Sequence, residues 1–255
     1  MNAPSVDYQN TTLERQVLQA RIDLAAALRS AARMGLNEGV CNHFSAEVPG
    51  RPDLFLLNPQ GLHWSEVTPF DLIMVNAAGE VVEGRHSVEP TAFFIHSRVH
   101  VGAKRKVVLH THMPYATALT ICENGRLETT ANQNSMRYHD RIIYDDVYGG
   151  VALSKEEGDR MSVALGKADI MFMSNHGVMV CGDRIDYAFD DLYYLERCCL
   201  VQVLAESTGR KLKRVPDAVA AEAARVIGGE RQQSELHFAA GSDTAQLDHS
   251  KVVED

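Results

Sequence analysis

A short apolar strand that ends in two histidines is predicted at Lys106-Val107-Val108-Leu109-His110-Thr111-His112. Alternate residues of a strand point to the same side, so the two imidazoles are placed to bind one metal ion together. The chain has 11 histidines in 255 residues, and about half an H-x-H pair is then expected by chance. The spacing therefore indicates a metal site only if other parts of the chain supply further ligands.

Helices and short strands are predicted to alternate on both sides of this stretch. Capping boxes at residues 11–14 and 154–157 predict helix starts, and Pro90 and Pro114 suit the first turns of two more helices. The helices are predicted at about residues 11–35, 90–101, 114–121, 154–167, 186–208 and 217–227. The strands are predicted at 55–57, 72–75, 80–82, 106–109, 170–173 and 178–180, with a turn at 58–61. This order predicts a single α/β domain built on one sheet.

The remaining segments are predicted to lie outside the core. Residues 35–45 and 123–153 are rich in polar and turn-forming residues, and Asp190-Asp191, followed by two tyrosines, is interpreted as a solvated helix face. Residues 228–255 are expected to be polar and disordered. The predicted organisation is a flexible tail at 1–10, the domain at 11–214, and a helical extension with a polar tail at 215–255.

Composition excludes several classes of protein. The net charge of −9 argues against a nucleic-acid-coating surface, which needs a basic face. The longest apolar run is shorter than the roughly 20 residues of a membrane span, and the N-terminus lacks the layout of a signal peptide. The 5 cysteines form no C-x-x-C pair and are expected to be reduced. We therefore expect a cytoplasmic protein that acts on a small molecule, without nucleic-acid or membrane partners.

Two residues outside the H-x-H pair complete a candidate metal site. His176 lies in a predicted turn between strands, where a buried imidazole needs a partner. Glu89 directly precedes the helix that begins at Pro90, and the positive end of a helix favours a carboxylate. This carboxylate would act as a fourth ligand or as a base. Three histidines that leave one position open are typical of a catalytic zinc site.

Other residues of reactive type have two interpretations each. His96 and His100, four residues apart on a predicted helix, would share a metal, or they would flank the helix and contact solvent or backbone. His43 would be a loop residue or a ligand-binding donor. The segment Arg137-Tyr138-His139-Asp140-Arg141 would contact substrate or form surface ion pairs. Cys198-Cys199 is interpreted as packing, since adjacent helical residues point to different sides.

Five motifs, in the same order, resemble those of the class II aldolase/adducin family. They are Gly39-Val40-Cys41-Asn42-His43-Phe44-Ser45, Asn58-Pro59-Gln60-Gly61, Ser87-Val88-Glu89, His110-Thr111-His112 and Asn175-His176-Gly177. The resemblance runs over about residues 12–208. Each motif is loose, but five of them in this order and spacing are specific together.

The resemblance implies a three-layer α/β/α sandwich around a central mixed, antiparallel-rich β-sheet, commonly in a homotetramer with active sites at subunit contacts. By the same resemblance, the metal ligands are His110, His112 and His176. Glu89 matches the catalytic carboxylate. The family includes sugar-phosphate aldolases, 4-epimerases, aromatic-acid decarboxylases and the adducin head. A divalent metal, a small-molecule substrate and a homo-oligomer are therefore expected.

The substrate-binding motifs differ from those of the sugar-phosphate aldolases in the family. Their phosphate-binding Gly-Asn, Thr-Gly and Ser-Ser pairs correspond here to Asn42-His43, Gln60-Gly61 and Ser87-Val88, which removes two hydroxyl donors. A dianion needs a ring of short donors. We therefore expect Asn42, His43, Gln60, Gly61 and Ser87 to bind a carboxylate or phenolate instead of a phosphate.

The proton donor has no clear match in the sequence. The family aldolases carry a catalytic tyrosine shortly after the helix that follows H-x-H. No tyrosine of this chain aligns with it. Tyr115, Tyr138 and Tyr144 stay open as substitutes.

The expected function is that of a metal-dependent carbon–carbon lyase, of aldolase or decarboxylase type, on a small non-phosphorylated oxo- or hydroxy acid. A divalent metal on three neutral imidazoles can stabilise the enediolate or enolate that C–C cleavage leaves, and Glu89 can move the proton. Zinc is expected, while manganese, iron and cobalt stay open because imidazole suits them all. The alternatives are a non-catalytic adducin-like scaffold and a sugar-phosphate aldolase or 4-epimerase; Glu89 favours an enzyme.

Overall fold

The computed structural model describes residues 8–150 and 154–241, and its strands form one sheet. They are β1 (His43–Val48), β2 (Arg51–Leu57), β3 (Ile73–Asn76), β4 (Val81–Glu83), β5 (Val107–Thr111), β6 (Ile142–Asp145), β7 (Ile170–Met173) and β8 (Gly177–Gly182). The order across the sheet is β4-β3-β2-β1-β5-β8-β7-β6. Neighbouring strands are antiparallel except β6 and β7, which are parallel. The prediction of a mixed, antiparallel-rich sheet is confirmed.

Helices cover both faces of the sheet. They are α1 (Tyr8–Arg33), α2 (Pro90–Gly102), α3 (Pro114–Thr120), α4 (Gln133–Met136), α5 (Lys155–Leu165), α6 (Ile185–Ser207), α7 (Asp217–Gly229) and α8 (Arg231–Gly241). One face carries α1, α3 and α6, and the other carries α2 and α5. The three-layer α/β/α sandwich is therefore confirmed. Within the described ranges, no helix combines the length and apolarity needed to cross a bilayer.

The central strands are buried on both faces because their side chains alternate between two cores. Phe44 and Leu109 pack into the core beneath α1 and α6. Val108 points the other way, into the core beneath α2 and α5. Cys198 and Cys199 on α6 are both buried, as their interpretation as packing residues predicted. The middle of the sheet thus offers a rigid base for side chains at the strand ends.

Two strands lie in segments predicted to be irregular. β1 begins inside the segment 35–45, where Asn42, His43 and Ser45 are all buried. Polar residues are accommodated here because they bond to distant side chains and backbone, as Ser45 does to His96. β6 lies within the segment 123–153 and pairs with β7 through three partly buried residues and the buried Asp145. Both predictions were wrong because local polarity does not reveal such partners.

The predictions for the two ends of the chain need correction. α1 begins at Tyr8, inside the predicted flexible tail, and residues 1–7 lie outside the described part. α8 occupies 231–241 of the segment predicted as disordered, whereas 242–255 again lie outside. Phe238 anchors α8 on α6, where its ring centroid lies 5.6 Å from that of Phe189. A single buried aromatic in a polar helix explains why the sequence suggested disorder.

The predicted solvated face of α6 is instead buried. Asp190 and Asp191 are each 3% exposed, and they bond to Arg137 at 3.0 Å and Arg141 at 2.7 Å. Burial opposes the ionisation of Asp190, yet its hydrogen bond from His237 and the charge of Arg137 lower its pKa overall. The segment 137–141, which was predicted to contact substrate or to form surface ion pairs, therefore stabilises α6 through the largely buried ion pairs of its two arginines.

Candidate active site

Three histidines converge at one end of the central strands. His110 lies in β5, His112 directly follows it, and His176 lies in the turn between β7 and β8. Their ring centroids are 4.8 to 5.0 Å apart, and their ligand nitrogens all lie within 4.8 Å of one another. A tetrahedral zinc ion with bonds of about 2.1 Å needs nitrogens roughly 3.4 Å apart. Closing the triad around such an ion therefore requires each pair to approach by at most about 1.4 Å.

Hydrogen bonds at Nδ1 leave Nε2 of two of these rings to act as the ligand atom. Nδ1 of His110 donates to the carbonyl oxygen of Val178 at 2.9 Å. Nδ1 of His112 bonds to the carboxylate of Glu38, and its Nε2 is buried without a hydrogen-bond partner in the described structure. Metal-bound histidines characteristically donate their second N–H to a carbonyl or carboxylate in this way. The orphaned Nε2 and the bonded Nδ1 both fit a metal site.

Two of the rings, His110 and His176, are also in the charge state that a metal requires. Burial, with the neighbouring His176 and His112, holds the pKa of His110 well below its ordinary value. Burial and His112 lower the pKa of His176 to about 4. Both imidazoles are therefore neutral at pH 7, which is the form that binds a metal. The donor set fits a divalent cation.

Around the triad, the backbone has one position without room for a Cβ atom and two asparagines with a left-handed φ. A Cβ on Gly177 would lie 2.7 Å from Cδ2 of His112 and 2.7 Å from the carbonyl oxygen of Thr111. Asn42 has a left-handed φ of 70°, and its side-chain oxygen accepts from the backbone N–H of His112 at 3.2 Å. Asn175 also has a left-handed φ, of 56°. Asparagine tolerates this conformation, so these positions hold His112 and His176 in place.

Glu89 is the N-cap of α2, where its Oε2 accepts from the backbone N–H of Ala92 at 2.9 Å. The same oxygen lies 3.7 Å from Nε2 of His43. Burial lowers the pKa of His43 to about 4, a shift that Glu89 opposes and His112 assists. At neutral pH the imidazole of His43 is therefore neutral.

One cavity of about 690 Å³ joins the histidine triad, Glu89 and most predicted substrate residues. Asn42, His43, Gln60 and Gly61 line it. Ser87 is not among the described lining residues; its hydroxyl donates to Oε1 of Gln60 at 3.0 Å. Ser87 therefore supports Gln60 instead of facing the cavity.

Sequence comparison places this chain in a known family. The sequence model of the Class II Aldolase and Adducin N-terminal domain matches residues 22–203. The chain belongs to this family. A Pseudomonas aeruginosa protein named for the class 2 aldolases is 36% identical over 217 residues, which cover 83% of this chain and 81% of that protein. Decarboxylase NovR of Streptomyces niveus is 31% identical over 207 residues, which cover 80% and 74%.

Two solved structures have the same class II aldolase fold. An aldolase II superfamily protein from Pseudomonas syringae superposes with a TM-score of 0.83 at 31% identity, over 92% of this chain and 94% of that one. An L-fuculose 1-phosphate aldolase from Glaciozyma antarctica gives 0.80 at 26% identity, over 94% and 93%. The family resemblance drawn from the five motifs is confirmed.

The three tyrosines considered as proton donors are not among the described cavity-lining residues of this class II aldolase/adducin domain. The Tyr138 hydroxyl donates to the carbonyl oxygen of Asp191 at 2.7 Å, and that of Tyr144 accepts from the Leu127 N–H at 3.0 Å. Tyr115 is partly buried against the core. Tyr148 does line the cavity and is 54% exposed. Its place in a turn-rich segment gave no sequence signal.

His96 and His100 do not face solvent, but Nδ1 of His100 lies 2.5 Å from the carbonyl oxygen of Arg105, so the interpretation of a backbone contact holds for His100. Both are buried on α2, and the Ser45 hydroxyl lies between them, 2.6 Å from Nδ1 of His96 and 2.7 Å from Nε2 of His100. Their helical spacing marked them as a pair, but Ser45 comes from β1 and could not be found that way. Glu38 was likewise missed, because its segment was predicted to be irregular.

Proposed function

We propose that this chain is a metal-dependent carbon–carbon lyase, of aldolase or decarboxylase type, that acts on a small oxo- or hydroxy acid without a phosphate group. The observation that carries the proposal is the shared cavity, in which three convergent histidines and a carboxylate at a helix N-terminus meet. Membership of the class II aldolase family supports the reaction class.

His110, His112 and His176 would hold the metal, for which we propose zinc. A divalent ion there would supply Lewis-acid stabilisation of negative charge on a substrate oxygen. Glu38 would orient His112 by accepting a hydrogen bond from its Nδ1–H. Imidazole also suits manganese, iron and cobalt, so metal analysis has to include all four.

Glu89 would move the proton that carbon–carbon cleavage requires. Glu89 would take the proton from the substrate O–H group that loses it as the carbon–carbon bond breaks, and would then return this proton to the carbon that is left with the electron pair. In the reverse direction the carboxylate removes that proton. His43, 3.7 Å from Oε2, and the N–H of Ala92 fix the position of the carboxylate.

The lining residues argue against a phosphorylated substrate. Among those that the structure describes, none is lysine or arginine, although a phosphate dianion is usually held by such residues or by a ring of short donors. A single carboxylate can be balanced by the metal alone. This favours a non-phosphorylated acid over the sugar phosphates that an aldolase or 4-epimerase of the family would take.

An adducin-like scaffold without catalysis remains the alternative from another class. A scaffold has no need for a buried, unpartnered Nε2 on His112 or for Glu89 in the same cavity. We further propose that the protein works as a homotetramer in the cytoplasm.

The test combines metal analysis with activity. Purified protein should contain about one divalent ion per chain. It should also act on glycolaldehyde, hydroxypyruvate or a hydroxybenzoate-type acid, either exchanging a carbon-bound proton, measured by deuterium exchange, or releasing carbon dioxide. Glu89→Gln should keep the metal and lose about 10²- to 10⁴-fold in turnover, whereas His112→Ala should lose both. A protein that binds no divalent ion when loaded with excess metal would refute the proposal.

A further inference from the structure

A row of hydrogen bonds runs from the backbone beneath α2 to the cavity wall. Nδ1 of His100 lies 2.5 Å from the carbonyl oxygen of Arg105. The Ser45 hydroxyl is 2.7 Å from Nε2 of His100 and 2.6 Å from Nδ1 of His96. The His96 side chain lines the cavity. Four groups from three chain segments are therefore linked in one line.

The chemistry of these groups fixes every proton in the row. A carbonyl oxygen only accepts, so Nδ1 of His100 carries its proton. Burial lowers the pKa of His100 to about 4, so the ring is neutral and its Nε2 is an acceptor. Ser45 gives its single proton to that nitrogen and must accept from Nδ1 of His96.

The last atom in the row is Nε2 of His96. Burial, with His43 and His100, holds the pKa of His96 well below its ordinary value, so this ring is also neutral. Since Nδ1 carries the proton, Nε2 presents a lone pair. His96 is 3% exposed, and its Nε2 is buried without a hydrogen-bond partner in the described structure. An unpaired buried acceptor destabilises the protein, and a hydrogen bond from a ligand donor would remove this unfavourable effect.

The surroundings indicate which donor fits. Ala92 lies three residues before Ile95 and four before His96 on α2, and all three residues line the cavity. A lone pair at an apolar wall repels carboxylate and phosphate oxygens and attracts a neutral O–H. Glu89 caps the same helix at its N-terminus, and the ring centroid of His43 lies 6.0 Å from that of His96.

We propose that Nε2 of His96 accepts a hydrogen bond from a neutral hydroxyl group of the substrate, held in this tautomer by Ser45, His100 and the Arg105 carbonyl. The inference rests on the proposed function and narrows it: the substrate is an acid with a hydroxyl group separate from the oxygens at the metal end. His96 is thereby a specificity-determining residue, and Ser45 is a positioning residue.

The first test compares matched acids on the zinc-loaded protein. The pairs are 4-hydroxymandelate and mandelate, 3-hydroxymandelate and mandelate, and glycerate and lactate, measured by titration calorimetry. In at least one pair the hydroxylated acid should bind about tenfold more tightly, because a site built to bond a hydroxyl rejects the analogue without it. His96→Leu should abolish the preference, and Ser45→Ala should reduce it. Ser30→Ala removes a different buried hydroxyl, on α1, and should leave the preference for the hydroxylated acid unchanged.

The second test needs no variant. Nitrogen-15 NMR of the wild-type protein should show His96 and His100 as neutral rings with the proton on Nδ1. An Nε2–H tautomer of His96, or equal binding within all three pairs, overturns the inference while leaving the lyase proposal intact. Failure of the protein to bind any divalent ion refutes the proposed function instead, and the tautomer measurement still decides the state of the hydrogen-bonded row.

Discussion

Replacing Glu38 by Gln should weaken metal binding without removing a ligand. The carboxylate of Glu38 bonds to Nδ1 of His112 and so fixes the ring whose Nε2 faces the metal position. Loss of such an outer partner typically weakens metal affinity 10- to 100-fold. The Glu38 side chain is 62% exposed, so water screens its charge and the lower end of that range applies. We expect about a tenfold loss, or roughly 1.4 kcal/mol.

The assay is a competition titration of zinc between the protein and a chromogenic chelator at pH 7. Glu222→Gln is the matched control, because it removes the same charge from the exposed surface of α7, and its zinc affinity should equal that of the wild type. A Glu38→Gln protein that binds zinc within twofold of the wild type would contradict the role given to this carboxylate. Thermal unfolding of the metal-free variant should stay unchanged.

Three further changes test the buried ion pairs, the close approach at the triad and the buried histidine. Asp191→Asn should lower the free energy of unfolding, measured in urea, by about 3 kcal/mol, because it breaks a buried ion pair while Arg141 keeps its bond to the carboxylate of Asp169. Asp140→Asn is the control: the side chain of Asp140 is 91% exposed, so the free energy of unfolding should change by less than about 0.5 kcal/mol. Gly177→Ala should weaken zinc binding at least tenfold, since the new Cβ meets a backbone oxygen at 2.7 Å, whereas Gly228→Ala, with nothing within 4 Å, should not alter it. The pKa of His100 is lowered from 6.5 to about 4 by burial. Between pH 4 and pH 6.5 the unfolded chain therefore binds more protons than the folded one. Stability of the metal-free protein, measured by urea unfolding, should therefore be lost as the pH falls from 6.5 to 4, by at most roughly 3 kcal/mol from this residue; a His100→Gln protein with the same pH slope as the wild type would refute this.

The parts of the fold that follow local rules could be predicted from the sequence. Pro90 marks the start of α2 because its ring suits the first helical turn, and Glu89 caps it as the charge argument suggested. The alternation of β5 placed His110 and His112 near each other. His176 needed only a turn between two apolar runs. These residues converge because strand ends in one sheet share an edge.

The parts that depend on distant partners could not be predicted. Ser45 is buried because His96, 51 residues away, bonds to it. Asp190 is buried because Arg137, 53 residues away, pairs with it. Polarity alone assigned both to the surface, since burial of a polar group is stable only when its partner is present. Neither partner is visible in a local window of sequence.

The residues that border the cavity are of two kinds: some lie in central strands of the sheet, and others lie in connecting segments. His110 lies in a strand paired on both sides, with β1 and β8, so a substitution there disturbs the centre of the fold. Gln60, Gly61 and Tyr148 border the same cavity from connecting segments, which accept changes in sequence readily. Evolution or a mutant library can therefore change which small molecules enter the cavity while the three histidines at the strand ends stay in place.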